Sequence, residues 1–172
     1  MLIYALIPAR SDSKRIKNKN ILKLNNKSLI QISVEQALKT KEIDKVFVST
    51  DSKKYQKISL SAGALAPFLR SKKISKDYST DLECFKDFLK QLKKKKIKVP
   101  DILVHLRATY PIRETGLISS CIQKFLKLQN KADSLRTIFK LKDNIQKMWL
   151  LDKKNMLYNP ITKGTEQHSM PG

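Results

Sequence analysis

An α/β fold, with a mostly parallel sheet held between two layers of helices, is what this sequence predicts. Short β-rich apolar runs alternate with longer amphipathic stretches from Leu2 to Phe139. Those stretches place apolar residues three and four apart, as in Ile118, Ile122, Phe125 and Leu126. The polar residues with the most evident chemistry follow directly on the apolar runs, at the carboxyl ends of predicted strands, where open parallel sheets bind ligands. Strands that alternate with helices imply right-handed crossovers and helices on both sheet faces.

The first predicted strand is Leu2 to Ile7, a short apolar run with no charge. A polar loop from Pro8 to Asn20 follows, then a helix over Leu29 to Lys39. Lys45 to Ser49 reads as the second strand and Lys53 to Ala62 as the second helix. Leu65 to Leu69 is the third strand, and Leu82 to Lys95 the third helix. The Lys93 to Lys96 run ends that helical pattern, where cations favour the helix dipole, so it reads as a solvated tip. Ile102 to Leu106, a helix over Thr115 to Leu128, and Ser134 to Phe139 complete the series. From about Asn144 the rhythm changes to a short apolar run, a turn at Asp152 to Asn155, and a polar stretch with Pro160, Gly164 and Pro171. The expected organisation is a core over residues 1–143 and a hairpin-like arm with an irregular tail over 144–172.

At 172 residues the chain fits one domain with an ordinary core. Its longest uncharged apolar stretch falls far short of the roughly 18 residues a bilayer span needs. Leu2 to Ile7 lacks a basic leader and a small-residue cleavage site, so a cytoplasmic protein without a membrane segment is expected. Cys84 and Cys121 lie far apart on helical patterns, with no second ligand at metal-site spacing, and read as reduced core residues. The formal charge of +21 raises a nucleic-acid partner, because such a field attracts polyanions of any sequence. Thirty of the 36 cations are Lys, scattered over most segments, which points away from specific nucleic-acid recognition.

The loop after the first strand concentrates charge most sharply. Arg10, Lys14, Arg15, Lys17 and Lys19 against Asp12 leave a formal +4 between Pro8 and Asn20. With four glycines in the whole chain, neither a Walker A loop nor a GxGxxG fingerprint exists. The cations themselves are therefore the anion binders, Arg10 as a bidentate fork and Lys19 as a point charge. Histidine supports no hydrolase triad: His105 sits inside an apolar strand as a core residue, and His168 lies on the polar arm without an acid or nucleophile arranged around it.

The pattern of residues goes further than the charge. "IPARSDSKRIKNKNI" resembles the N-terminal signature of the cytidylyltransferases that activate sialic and related nonulosonic acids. "VFVSTDS" resembles that family's second strand, "APFLRS" with "DYSTD" its third strand and downstream cluster, and "LVHLRATYPIR" its next; "SLRTIFK" and "KMW" follow in order. The resemblance runs from Leu2 to about Gly172. It implies a Rossmann-like three-layer α/β/α nucleotidyltransferase fold with a C-terminal arm that pairs two subunits.

Carried over residue by residue, the resemblance puts Arg10, Ser13 and Lys19 on the triphosphate of CTP, with Arg10 and Lys19 catalytic, Asn20 beside the nucleotide and Arg70 near the cytidine. Arg107, Thr109 and Arg113 fall at the rim where nucleotide and sugar acid meet. Asp51 is either a pocket acceptor, and then the first suspect for a metal ligand, or the N-cap of the helix starting near Lys53. Two departures stand out. Ser11 and Asp12 occupy positions where the family often has Gly, and Asp12 is expected to tolerate a left-handed turn. Arg107 replaces a common Gln, which favours a carboxylate or phosphate over a neutral hydroxyl.

The implied reaction joins CTP to a nonulosonic sugar acid, giving the CMP-sugar and pyrophosphate, with Mg²⁺ on the phosphates. The family's metal-binding aspartates would fall beyond Gly172, so a homodimeric enzyme shortened at its arm, with Trp149, Leu150 and Leu151 short of cover, is expected to bind CTP and turn over poorly. A catalytically incomplete relative and a basic nucleic-acid binder are the alternatives.

Overall fold

The computed structural model describes residues 1–76, 78–128, 130–138, 150–151 and 157–158. The chain divides into two units at Ser134 and Leu135. The first is built on a parallel sheet whose central strand is β1 (Ile3–Pro8), with β4 (Lys45–Ser49) along one edge and β5 (Ile102–His105) along the other. Registers run from Tyr4 opposite Lys45 to Pro8 opposite Ser49, and from Ile3 opposite Ile102 to Leu6 opposite His105.

β1 reads as unbroken apolar sequence because both its faces are covered. Ala5 and Ile7 turn to one side, with Val46 and Val48 of β4, and meet Ile30, Val34, Ala37 and Tyr55. Those residues come from α1 (Leu29–Leu38) and α2 (Lys53–Ser61). Tyr4, Leu6 and Phe47 turn to the other side and pack on Phe88 and Leu92 of α3 (Asp81–Lys94). Phe47 lies between the Tyr4 ring at 5.0 Å and the Phe88 ring at 5.1 Å, a tilted and an edge-on contact that suit aromatic quadrupoles. The period-two alternation of β1 and β4 is thus the physical origin of the three layers. The fourth helix, α4 (Leu117–Leu128), follows β5.

Local sequence starts and stops the helices. Ser28 and Gln31 form a capping box on α1, and Thr80 with Glu83 form another on α3. Asp81 and Glu83 occupy the first turn of α3 and Lys93 and Lys94 its last, matching the dipole at both ends. The Lys93 to Lys96 run is the helix tip the sequence predicts, closed by Lys96 at φ 56°.

Two expectations change, and one element is added. Leu65 to Leu69 is not a full strand: Leu65 bridges Phe47 in parallel, and Arg70 N reaches Thr50 O at 2.8 Å, but Pro67 between them has no N–H to continue the ladder. Ser134 to Ile138 is not a strand either, and Phe139 lies outside the described residues. A small hairpin of β2 (Lys23–Leu24) and β3 (Lys27–Ser28) precedes α1. Its turn residues Asn25 and Asn26 have φ 49° and 63°, the left-handed pair a tight two-residue turn requires.

In the second unit, β6 (Leu150–Leu151) pairs antiparallel with β7 (Leu157–Tyr158). The expected turn at Asp152 to Asn155, the polar tail and Trp149 lie outside the described residues. Among the described residues no helix is long and apolar enough to cross a membrane.

Candidate active site

Because β1 is central, the chain leaves its carboxyl end between two parallel neighbours, and a crevice opens there. A cavity of about 230 Å³ lies at this point. Arg10, Ser13, Lys19 and Asn20 reach it from the loop after β1, Arg70 from the segment beside β4, and Arg107 and Thr109 from the loop after β5. Seven of the eight site residues expected from the sequence therefore share one cavity. The N-terminal turn of α3 closes the remaining side with Thr80, Asp81 and Cys84. Arg10, Lys19, Arg70, Lys76 and Arg107 set five cations against the one carboxylate of Asp81, a lining that concentrates anions.

Each group is held in its own way. Asn20 is buried, and its Nδ2 donates to the Arg10 carbonyl at 2.9 Å, tying the two ends of the loop together. Arg70 is 7% exposed. Its Nη1 donates to Cys84 Sγ at 3.2 Å, while Nε and Nη2 have no hydrogen-bond partner among the described residues. Two buried donors of one guanidinium are thus left uncommitted by the described protein atoms in the cavity wall. Arg107 pairs with Asp81, but both are well exposed, so the pair is a weak one that a stronger anion can displace.

Arg113 departs from its expected place and does not line this cavity. Its Nη1 donates to Gln36 and Ser33 on α1, and its Nη2 to the Arg107 carbonyl at 2.8 Å. Burial pulls this guanidinium below its ordinary value, with Tyr110 acting the other way. It faces a second cavity of about 390 Å³ with Gln36, Thr40 and Glu42, and from there braces the backbone that carries Arg107.

Asp51 is neither the N-cap of α2 nor part of the cavity lining. Ser52 caps that helix, its Oγ accepting from Tyr55 N, while Asp51 accepts two bonds from Ser11. Asp12 does not take the expected left-handed turn; Asn18 does, at φ 56°. His105 is half-buried in the cavity wall, edge-on to Phe85 at 5.0 Å, and not a closed core residue. Its place at the last position of β5 was a readable signal, since strand ends line such crevices. Cys84 is buried in the cavity wall, a role that helical periodicity alone does not distinguish from core.

A family model described as Cytidylyltransferase matches residues 4–157. The chain belongs to the cytidylyltransferase family. It is similar to the pseudaminic acid cytidylyltransferase of Campylobacter jejuni serotype O:2, with 33% identity over 153 residues, 89% of this chain and 65% of that one. It is also similar to the CMP-N,N'-diacetyllegionaminic acid synthase of Legionella pneumophila, at 32% over 72% of this chain and 53% of the relative. The chain thus spans just under two thirds of the length of the first of these relatives.

Among solved structures, a CMP:2-keto-3-deoxy-manno-octonic acid synthetase complexed with CTP superposes with a TM-score of 0.60 at 21% identity, covering 74% of this chain and 48% of that one. A cytidylyltransferase from Leptospira borgpetersenii gives 0.57 at 22%, covering 75% and 50%. At these identities the likeness establishes the Rossmann-like nucleotidyltransferase fold of this chain.

Proposed function

We propose that this cytidylyltransferase chain binds CTP in the cavity at the carboxyl end of β1 and belongs to an enzyme that transfers CMP to a nonulosonic sugar acid. The observation that carries the reading is the convergence of Arg10, Ser13, Lys19, Asn20, Arg70, Arg107 and Thr109 on one cavity. In the reaction the anomeric hydroxyl oxygen forms its bond to the α-phosphorus and its proton passes to solvent, while the bond from that phosphorus to the bridging oxygen breaks and pyrophosphate leaves. Catalysis of such a displacement is positioning and charge stabilisation. Arg10 and Lys19 hold the phosphate oxygens and oppose charge building on the leaving group. The free N–H groups of Arg70 suit a nucleobase carbonyl, and Arg107 exchanges Asp81 for the carboxylate of the sugar acid. We assign the reaction to the cytoplasm, with a homodimer as the working assembly and no specific nucleic-acid partner.

A divalent ion, Mg²⁺, is implied by the chemistry of triphosphates. The described residues do not fit it: none form a group of three metal-ligating side chains, Asp51 is engaged by Ser11, and Asp81 by Arg107. In this structure Asp51 is committed to the loop through Ser11.

Competition binding among CTP, ATP and GTP tests the reading, with CTP expected to win. Arg10→Ala and Lys19→Ala should each weaken CTP by about 1.5 to 3 kcal/mol, the range for hydrogen bonds to charged groups, and Lys95→Ala at the α3 tip should not. Equal affinity for all three triphosphates would reduce the cavity to a generic anion site. Pyrophosphate release with CTP, Mg²⁺ and a panel of nonulosonic acids tests turnover.

A further inference from the structure

The loop from Pro8 to Asn20 carries five cations and no glycine, so its own charge pushes it open and its backbone has no easy route to a tight turn. Something outside the loop must hold it. Ser11 donates twice to Asp51, from N to Oδ1 at 2.8 Å and from Oγ to Oδ2 at 2.7 Å. Tyr55 Oη donates to Asn18 Oδ1 at 3.3 Å. Asp51 directly precedes Ser52, the N-cap of α2, and Tyr55 lies in the first turn of that helix, 1% exposed and packed in the core. One helix end therefore grips the loop at two points: at Ser11, next to Arg10, and at Asn18, next to Lys19. Burial, and then the Asp51 charge, push the Tyr55 phenol up, which keeps it protonated as the donor.

We propose that Asp51 and Tyr55 are positioning residues that latch the loop to α2 and so aim Arg10 and Lys19 into the cavity before a polyphosphate arrives. The latch rests on the nucleotide reading above only for what the loop binds. Asn18 is the pivot: its left-handed backbone reverses the chain toward Lys19, and the Tyr55 bond holds the side chain that makes this turn. Each Asp51 oxygen accepts one bond from Ser11, so the carboxylate acts on the loop at both of its atoms. An unlatched loop populates its binding form only part of the time, and apparent affinity falls by that fraction.

Trypsin provides a readout that needs no nucleotide, because Lys14, Arg15 and Lys17 are exposed cleavage sites within the loop. Limited digestion, with fragments assigned by mass spectrometry, is run on the wild type, Asp51→Ala, Ser11→Ala, Tyr55→Phe and the control Lys53→Ala, beside thermal unfolding and CTP titration. Ser11→Ala removes one hydroxyl and preserves the fold if Asp51→Ala does not. Expected are about tenfold faster cleavage between residues 11 and 19 and about tenfold weaker CTP in Asp51→Ala, with smaller shifts of the same kind in Ser11→Ala and Tyr55→Phe, and little change in Tm. Ser11→Thr, which restores the hydroxyl, should behave as wild type. Loop cleavage equal to wild type in all variants overturns the latch. Faster cleavage with unchanged CTP affinity overturns its positioning role. A wild type that fails to bind CTP overturns the function proposed above, while the digestion still decides whether the latch exists.

Discussion

Arg70 is the side chain whose cost to the fold is plainest. A buried guanidinium whose only hydrogen-bond acceptor among the described residues is a thiol gives up hydration for little protein contact in return. Arg70→Met, of similar length, should therefore raise Tm while weakening CTP. A gain of about 1 kcal/mol would read as roughly 2 to 4 °C for a chain of this size. A drop in Tm on differential scanning would mean that the guanidinium stabilises the empty protein. Sequence motifs led to the cavity-lining residues because their chemistry is carried by short ordered strings. Arg113 and Asp51 escaped that logic for one reason: a charged side chain a few residues past a strand can turn toward ligand or toward its own scaffold, and the choice depends on what the neighbouring helix offers. Gln36 and Ser33 on α1 captured Arg113, and Ser11 captured Asp51.

Helices α1 and α4 are joined through the turn that follows α1. There Glu42 accepts from Ser119 Oγ at 2.5 Å and Gln123 Nε2 at 2.9 Å, both on α4. The Ser119 bond first, then the Gln123 bond, hold its carboxyl below the ordinary 4.5. A carboxyl with a lower value folded than unfolded binds more protons when unfolded. It stabilises the fold at neutral pH, and this contribution fades as pH falls below about 4.5. Glu42→Gln should flatten the decline of Tm between pH 6 and pH 3 relative to wild type, and parallel curves would remove Glu42 from the acid response. Element types were legible because amphipathic period and capping residues agree, as at Ser28 and Thr80. The missed details turn on single residues: Pro67 interrupts a run that otherwise reads as a strand, and Asn25 with Asn26 make a turn from two residues that periodicity counts merely as polar.

Across the whole molecule the +21 charge and the cavity are separate facts. The charge is spread over the surface, whereas the cavity gathers five cations on the ends of parallel elements. Duplex DNA should therefore bind weakly, without sequence preference, and lose affinity steeply between 50 and 200 mM salt, while CTP should be far less sensitive. Sequence-selective, salt-resistant binding in a mobility-shift titration would reverse that assignment. Three layers were legible from strand and helix alternation, but strand order was not, since periodicity says nothing about which strand lies in the middle. That order has a consequence for biosynthesis. β1 is made early, apolar on both faces, and its second edge stays open until β5 emerges about 90 residues later. At roughly 5 to 20 residues per second, the nascent chain carries an unpaired hydrophobic edge for several seconds or more. During that interval the ribosome-bound chain is a natural client for a chaperone that shields strands.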